Sequence, residues 1–248
     1  MRVAALYDIH ANLPALEAVL AEPDVAGADL LVVGGDVLVG PMPIETLALL
    51  TVLGNRAACV HGNTEREVAR GRGGNHRTGE LWDRRAAWVA GQLTAADIAA
   101  AERWPATVTV DVDGLGPVCF CHGSPRSDEE IITAISPPAR LEPMLAGVAA
   151  ETIVCGHTHV QFDRVVAGRR LVNAGSVGMP YEGSPGARWC LLGPGVELRT
   201  TAYEIEAAAV RIGATEFPEA EAFAADLVEP ASAEEATREF EAQAAAKK

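Results

Sequence analysis

Apolar runs, polar loops and helical stretches alternate along the N-terminal part of the chain. Residues 2–7 form a mostly apolar run that predicts a buried strand. The stretch that follows places Leu13, Leu16 and Leu20 on one helical face, and Asn12 is positioned to cap that helix. We therefore predict a strand, a polar loop and a helix, in that order.

The same order occurs again further along. The segments "DLLVV" and "AACV" predict two more buried strands, and "IETLALLTVL" predicts the helix between them. Repeated strand–loop–helix units are typical of a mostly parallel α/β sheet. In such sheets, ligands bind beyond the carboxyl ends of the strands.

Residues 66–106 interrupt this order with a mainly helical insertion, whose second helix begins at a capping box of Thr94 and Asp97. Strands return at "ATVTVDV", "PVCFCHG" and "TIVCGH". Four later strands, from "QFDRVVAG" to "VELRTTAY", are close enough in sequence to predict antiparallel hairpins in a second, mixed or antiparallel sheet. After Pro218, eight acidic and three basic residues predict solvated helices.

We expect one catalytic domain at residues 1–203, with the helical insertion at 66–106, and an acidic helical extension at 204–248. The N-terminus lacks the features of a secretory signal, and the longest apolar runs are much shorter than the ~20 residues that span a bilayer. The five cysteines lie in apolar runs, as is typical of buried, reduced thiols. We expect a soluble, cytoplasmic protein that does not bind membranes.

The net charge of −14 makes a long nucleic acid an unfavourable partner, because binding to its phosphates needs a broad cationic surface. A small phosphorylated substrate held through metal ions remains compatible with this charge. The sequence is also compatible with a homo-oligomer.

Metal-competent side chains cluster at the predicted strand ends. They are Asp8, His10, Asp36, His61, Asn63, His122, His157 and His159. A lone histidine after a strand is more often a structural loop residue, but that interpretation does not explain so many at successive strand ends. Carboxylates and imidazoles together suit Zn²⁺, Mn²⁺ and Fe²⁺. Three or four donors per ion, with one shared carboxylate, would hold two ions ~3.5–4 Å apart.

The order of the motifs "DIH", "GGD", "GNTE", "CHGSP" and "GHTH" resembles that of the calcineurin-like metallophosphoesterases. "NAGSVGMP", at residues 173–180, is similar to a stretch in the bacterial phosphodiesterase branch of that family. The resemblance implies an α/β fold, a four-layer α/β/β/α sandwich with two mixed sheets. It also implies two divalent ions, with manganese expected and iron, zinc, nickel or cobalt as alternatives.

The resemblance further implies which residues hold each ion. One ion would be bound by Asp8, His10, Asp36 and His159. The other would be bound by Asp36, Asn63, His122 and His157, so that Asp36 bridges the two. Because alternate residues of a strand point to the same side, a turn after Gly156 is needed to divide His157 from His159. A hydroxide that bridges the ions would then attack the phosphorus.

The chain departs from the family pattern at Thr64, where many members have a histidine that contacts the phosphate or protonates the leaving oxygen. Threonine cannot supply a proton near neutral pH, so leaving groups that depart as stable anions should suit the site. His61 is either the replacement acid or a structural residue. We assign catalytic roles to Asn63, His122 and His61.

Arginines are concentrated at the start of the insertion. They are Arg66, Arg70, Arg72, Arg77, Arg84 and Arg85. This pattern indicates either a solvated helical face or a lid that offers guanidinium groups to a second phosphate. We expect the substrate to contact Asn12, Thr64, Arg66 and Arg126.

These observations favour a metal-dependent phosphodiesterase that acts on a small diester or nucleotide, such as a cyclic nucleotide or a dinucleoside polyphosphate. A phosphomonoesterase with the same metal site is the enzymatic alternative. A non-catalytic scaffold is the alternative from another class of protein, but it would not need metal-competent residues at every expected ligand position.

Overall fold

The computed structural model describes residues 1–71 and 79–246, which form two five-stranded sheets and their flanking helices. The strands are β1 (Val3–Leu6), β2 (Leu30–Val33), β3 (Ala57–Cys59), β4 (Thr107–Val112), β5 (Gly116–Cys121), β6 (Thr152–Cys155), β7 (Phe162–Val166), β8 (Arg169–Asn173), β9 (Ala187–Leu192) and β10 (Val196–Thr201). The helices are α1 (Leu13–Ala21), α2 (Pro23–Ala26), α3 (Pro43–Leu53), α4 (Asn63–Ala69), α5 (Gly79–Gln92), α6 (Ala95–Glu102), α7 (Pro138–Leu141), α8 (Ile205–Gly213), α9 (Ala220–Val228) and α10 (Ala233–Ala246). A 3-10 turn, Gly54–Arg56, joins α3 to β3.

Both sheets are mixed. The first has the order β10-β9-β1-β2-β3, in which β1, β2 and β3 are parallel, as the repeated strand–loop–helix order predicts. The second has the order β4-β5-β6-β8-β7, with parallel β5–β6 and β6–β8 pairs between antiparallel edges. The carboxyl ends of β1, β2 and β3 therefore meet at one edge of the first sheet.

The two antiparallel hairpins form as predicted, but they do not share a sheet. β7 and β8 lie at the edge of the second sheet, whereas β9 pairs with β1 and brings β10 into the first sheet. The expectation that all four strands join the second sheet is therefore wrong. β9 can lie inside the first sheet because both of its faces are apolar: Leu191 packs on the helix side and Cys190 packs between the sheets.

The sheets pack face to face, and alternate residues of each strand serve different layers. Val3 and Ala5 of β1 point into the apolar cluster between the sheets. Ala4 and Leu6 point instead into the cluster formed with the helices. A third cluster lies on the outer side of the second sheet, where Leu141 of α7 is buried. The predicted four-layer α/β/β/α sandwich is confirmed.

The helical insertion docks on the C-terminal extension. Arg84 of α5 forms an ion pair with Glu219 at 3.0 Å. Its neighbour Arg85 donates from Nε to the carbonyl oxygen of Pro218 at 3.2 Å, and its guanidinium lies over the ring of Phe217. These two arginines of the insertion thus contact the C-terminal extension.

The extension is only partly solvated. Phe223 and Leu227 of α9 are buried with the helices that cover the first sheet, so the expectation of a solvated helix is wrong for α9. The two residues are four positions apart and so lie on the same face of α9, which packs against these helices. In α10 the buried position is Ala236, and the acidic side chains are largely exposed, as expected.

The predicted capping box of α6 is present: the backbone N–H of Asp97 donates to Thr94 Oγ1 at 3.2 Å, and that of Thr94 donates to Asp97 Oδ2 at 3.2 Å. Among the helices that the structure describes, none combines the length and the apolar character needed to cross a membrane.

Candidate metal centre

The predicted metal ligands converge at the carboxyl ends of the strands, and their backbone is unusual there. Five of them have left-handed φ angles between 46° and 67°: Asp8, His10, Asp36, His157 and His159. Such angles are costly for residues other than glycine and are retained where the surrounding structure imposes them, which occurs mostly at functional sites. Both His157 and His159 turn in this way, so the chain does bend after Gly156.

Two glycines allow the loops to approach this closely. A Cβ atom at Gly62 would collide with the carboxylate of Asp36, and one at Gly156 would collide with that of Asp8. The glycines beside the predicted ligands therefore serve close backbone approach, as their positions in the sequence suggested.

The first group of candidate ligand atoms comes from Asp8, His10 and His159, all of which are buried. Nε2 of His10 lies 3.2 Å from Nε2 of His159. Oδ1 of Asp8 lies 3.4 Å from the same atom of His159. One cation could contact all three residues.

The second group comes from Asp36, His122 and His157. Nε2 of His122 lies 3.2 Å from Nδ1 of His157 and 3.3 Å from Oδ1 of Asp36. The other carboxylate oxygen of Asp36 lies 3.9 Å from Nε2 of His10, in the first group. Asp36 therefore reaches both groups, which is the position that a bridging ligand needs.

Hydrogen bonds to carbonyl groups fix how three of these imidazoles face the site. Nδ1 of His10 lies 3.0 Å from the carbonyl oxygen of Val39. Nδ1 of His159 lies 2.7 Å from that of Met179. Because a carbonyl only accepts, Nδ1 of each ring carries the proton and the neutral ring has a lone pair at Nε2.

Two such lone pairs facing each other repel unless a cation or a proton lies between them. His10 and His159 present this arrangement at 3.2 Å. In metal sites the second ring nitrogen is commonly fixed by a carbonyl or carboxylate in the same way. His122 follows the same rule, since its Nδ1 lies 3.0 Å from the carbonyl oxygen of Gly34.

The charges of the site also suit a cation. Burial alone raises the pKa of Asp8, but His159 and His122 outweigh this and lower it, so the carboxylate is charged. Burial lowers the pKa of His10 to about 4 and that of His157 to about 3, so both imidazoles are neutral at neutral pH. Neutral imidazole and charged carboxylate are the forms that bind metals.

His122 behaves differently. Burial is the largest single effect and lowers its pKa, but the charge of Asp36, the hydrogen bond to Asp36 and the charge of Asp8 together outweigh it and raise the pKa to about 10. A proton on His122 therefore occupies the place of a cation, and metal binding would release it.

Among the candidate ligands that the structure describes, two buried oxygen atoms have no hydrogen-bond partner: Oδ1 of Asp8 and Oδ1 of Asn63. A buried acceptor without a partner costs free energy, and a bound cation would remove that cost. The amide nitrogen of Asn63 lies 3.4 Å from Oε1 of Glu67, which leaves Oδ1 as the free end. The residues present thus fit divalent cations.

The other predicted site residues have clear structural contacts. The backbone N–H of Thr64 donates to Oδ1 of Asp36 at 2.9 Å, and the Thr64 side chain is fully buried. Asn12 caps α1 as predicted, accepting from Ala15 N at 3.2 Å and donating to Gly178 O at 2.9 Å. Substrate contacts by these two residues remain predictions.

His61 and the predicted substrate arginine Arg66 lie at one acidic cluster. Arg66 binds Asp128 through both Nε, at 3.0 Å, and Nη2, at 2.8 Å, and reaches Glu129 at 2.9 Å. Nδ1 of His61 lies 3.5 Å from Oδ2 of Asp128, which raises the pKa of His61. Arg126 is exposed to solvent and pairs with Glu130. Arg72, Arg77 and His76 lie outside the described residues.

Sequence reasoning missed the role of Glu65. This buried carboxylate accepts from the backbone N–H groups of Asp36, Val37, Leu38 and Gly62. It thereby ties the loop after β2 to the loop after β3. The signal was its position in the first turn of α4, three residues after Gly62, where a glutamate can bind the N-cap backbone.

The segment "NAGSVGMP" also supports the ligands. Oγ of Ser176 donates to the carbonyl oxygen of Asp8 at 2.7 Å, and Nδ2 of Asn173 donates to that of Gly156 at 2.8 Å. With the bond from His159 to Met179, this segment holds the backbone of Asp8 and the ring of His159, and Asn173 holds the glycine that precedes His157.

Three aromatic rings surround the ligands, and the sequence did not indicate any of them. Trp82 of α5 packs edge-on to His10, with ring centroids 5.9 Å apart. Tyr181 stacks on His159 at 4.8 Å, and Phe240 of α10 lies 6.4 Å from His157. They come from distant segments, so no local pattern could have placed them together.

Residues 1–192 match the family model for the calcineurin-like phosphoesterase superfamily domain. A metallophosphoesterase from Sphaerobacter thermophilus is similar in structure, with a TM-score of 0.72 and 26% sequence identity over 92% of this chain and 98% of that one. A hypothetical protein from Pyrococcus horikoshii OT3 shares the fold, with a TM-score of 0.77 and 18% identity over 93% of this chain and 99% of that one. No curated protein matches the chain significantly. Because the family model spans well over half of the sequence, this protein belongs to the calcineurin-like phosphoesterase superfamily.

Proposed function

We propose that this protein is a phosphodiesterase of the bacterial branch of the superfamily, and that it hydrolyses a small phosphodiester or nucleotide with two divalent ions. A cyclic nucleotide or a dinucleoside polyphosphate fits this description. The observation that carries the proposal is the pair of three-residue groups, each with two imidazole nitrogens 3.2 Å apart and a carboxylate beside them. Membership of the superfamily supports it further.

In this proposal Asp8, His10 and His159 hold one ion, and Asn63, His122 and His157 hold the other. Asp36 would contribute to both sites, because its two oxygens face different groups. When bound, two such ions, Mn²⁺ in our proposal, would supply a hydroxide nucleophile near neutral pH and would neutralise the charge that develops on the phosphoryl oxygens. The protein's part is to fix the ligand atoms before substrate arrives.

The site lacks the histidine that protonates the leaving group in many family members, because Thr64 stands at that position. Thr64 is fully buried and its hydroxyl donates to Glu65, so it has no proton to offer. His61 is partly exposed at the acidic cluster and is our candidate to assist, together with Asn63 and His122 at the phosphate. We therefore propose that nucleotide or aryl leaving groups are cleaved faster than alkyl ones.

We assign phosphate contacts to Arg66 and Arg126, and further substrate contacts to the buried residues Asn12 and Thr64. Both guanidinium groups are held by carboxylates, Arg66 by Asp128 and Arg126 by Glu130. To bind a phosphate, each arginine would share its donors between that carboxylate and the substrate, which five N–H groups allow.

The catalytic unit in this proposal is residues 1–203, and residues 204–248 are an added extension. We place the protein in the cytoplasm, acting on a small molecule, either as a monomer or as a homo-oligomer.

The experiment that tests the function compares two p-nitrophenyl esters. Metal-stripped protein is resupplied with Mn²⁺ and assayed with bis(p-nitrophenyl) phosphate and with p-nitrophenyl phosphate, with Asp36→Ala as the control. We expect manganese-dependent cleavage of the diester that is lost in the variant. Faster cleavage of the monoester would favour the phosphomonoesterase. No cleavage of either ester, with metal bound, would favour the scaffold.

A further inference from the structure

One phenylalanine lies outside the apolar core. The chain has five phenylalanines, and four of them, Phe120, Phe162, Phe217 and Phe223, belong to the three buried clusters. The fifth, Phe240, is the large apolar residue of the otherwise polar and small-residue helix α10. It is partly exposed and contacts the candidate metal centre instead of the core.

The position of Phe240 coincides with the open side of the site. Of the seven candidate ligands, His157 alone is more than marginally exposed, and the other six are buried. A substrate therefore approaches past His157. Phe240 lies beside that imidazole, with ring centroids 6.4 Å apart.

A second ring extends the same surface. Tyr181 is stacked on His159, with centroids 4.8 Å apart and planes 19° apart. Its ring also lies 6.4 Å from that of Phe240. Tyr181 and Phe240 are both partly exposed, so they form an aromatic surface next to the candidate ligands His157 and His159.

Hydrogen bonds to the carboxylate of Glu241 hold α10, and with it Phe240, in place, and none of them involves a candidate metal ligand. Glu241, the neighbour of Phe240, accepts from Arg140 at 2.6 and 2.8 Å, from Ser136 at 2.7 Å and from Thr133 at 2.5 Å. These donors lie more than a hundred positions away in sequence. Together with the burial of Ala236, these hydrogen bonds hold α10 against the segment between β5 and β6 and so help to set the position of Phe240.

We propose that Tyr181 and Phe240 form a subsite for an aromatic group carried by the substrate ester, a nucleobase or an aryl ring. Aromatic rings stack on one another with little dependence on the exact base, so the subsite selects nucleotide-like or aryl esters over alkyl ones. This inference rests on the proposed function, because it assumes that the phosphorus is held between the two groups of ligands. It assigns a specificity role to the C-terminal extension.

The kinetic test uses two diesters that release the same p-nitrophenolate. Bis(p-nitrophenyl) phosphate retains an aryl group, whereas methyl p-nitrophenyl phosphate retains a methyl group. We expect Phe240→Ala to lower the preference in kcat/KM for the aryl diester by about tenfold. Phe240→Leu, which keeps an apolar side chain without a ring, should also lose most of the preference for the aryl diester. Gln243→Ala, at an exposed position of the same helix, should not change it.

A binding test separates this proposal from the proposed function. Calorimetry on the Mn²⁺-loaded protein compares AMP with ribose 5-phosphate, which share a phosphoryl ribose and differ in the base. We expect tighter binding of AMP in the wild type, and an equal affinity for the two ligands in Phe240→Ala. If this preference is found without turnover of any ester, the subsite stands and the phosphodiesterase proposal fails.

Other outcomes overturn the subsite. Equal binding of AMP and ribose 5-phosphate by the wild type would do so. An equal loss of activity on both diesters in Phe240→Ala would show that the ring only positions His157. An equal gain of activity on both diesters would show that the Phe240 ring obstructs the site.

Discussion

His10 and His159 face each other through Nε2 atoms that lie 3.2 Å apart, while the Nδ1 atom of each ring hydrogen bonds to a backbone carbonyl. The two residues are 149 positions apart in sequence. A neutral pair in this geometry places two lone pairs against each other inside a buried site. This arrangement is therefore more stable with a cation than without one.

Metal removal should lower the thermal stability of the protein. A ligand at a hundred times its dissociation constant adds about 2.7 kcal/mol to the free energy of unfolding, so a rise in melting temperature of several degrees is expected on adding Mn²⁺. Calorimetry of stripped and reloaded protein measures this. Asp36→Asn should show a much smaller rise, since it weakens both groups of ligands. A melting temperature that does not respond to any divalent ion would contradict the metal assignment.

Glu65→Ala should destabilise the fold strongly, although Glu65 is not a candidate ligand. It leaves four backbone N–H groups without their acceptor, in loops that are buried. We expect a loss of about 3 kcal/mol or more in the free energy of unfolding, measured by urea denaturation. Glu102→Ala, an exposed residue of α6, is the matched control and should stay within about 0.5 kcal/mol of the wild type.

Glu67 links the insertion to the metal centre and should affect metal affinity. Its carboxylate accepts from Asn63 Nδ2 at 3.4 Å and from Trp82 Nε1 at 2.5 Å. Without it, Asn63 loses the partner that directs Oδ1 into the site. We expect Glu67→Leu to weaken Mn²⁺ binding by about tenfold in a titration followed by calorimetry.

Trp82→Phe isolates the second of these bonds, because it retains a ring beside His10 and removes the indole N–H. We expect a smaller loss of Mn²⁺ affinity than in Glu67→Leu. If both variants bind Mn²⁺ as the wild type does, Asn63 does not depend on Glu67 for its orientation.

Acid should release the C-terminal helix before the rest of the molecule. Burial alone raises the pKa of Glu241, but hydrogen bonds from Arg140, Thr133 and Ser136 outweigh it and lower the pKa below its ordinary value. The stabilisation is therefore complete above the ordinary pKa of a glutamate and is lost as the pH falls through the lowered pKa. The protection of the α10 amides against hydrogen exchange, relative to the intrinsic exchange rate at each pH, should fall over that range, while protection in β1 and β2 remains high.

Glu241→Gln provides the control for the acid effect. It removes the charge at every pH, so α10 should already exchange faster at neutral pH, with a weaker dependence on acid. Equal hydrogen exchange of α10 in the wild type and the variant would show that the hydrogen bonds to Glu241 do not hold the helix.

Local sequence patterns determined much of the fold. The parallel strands β1, β2 and β3 and the helices between them follow from apolar runs whose period suits each element, since burial of these side chains is what stabilises them. The two hairpins were predicted from their spacing. Their division between two sheets was not, because β9 is compatible with either sheet and only pairing with β1 decides between them.

The candidate ligands were also readable from the sequence, since their chemical type and their position after strands are both local properties. What only the tertiary structure decided is which atoms meet. The opposed nitrogens of His10 and His159, the Glu65 cluster and the placement of Phe240 beside His157 all join segments far apart in the chain. Sheet pairing and loop packing set those distances, and a periodic pattern along the chain carries information only about near neighbours.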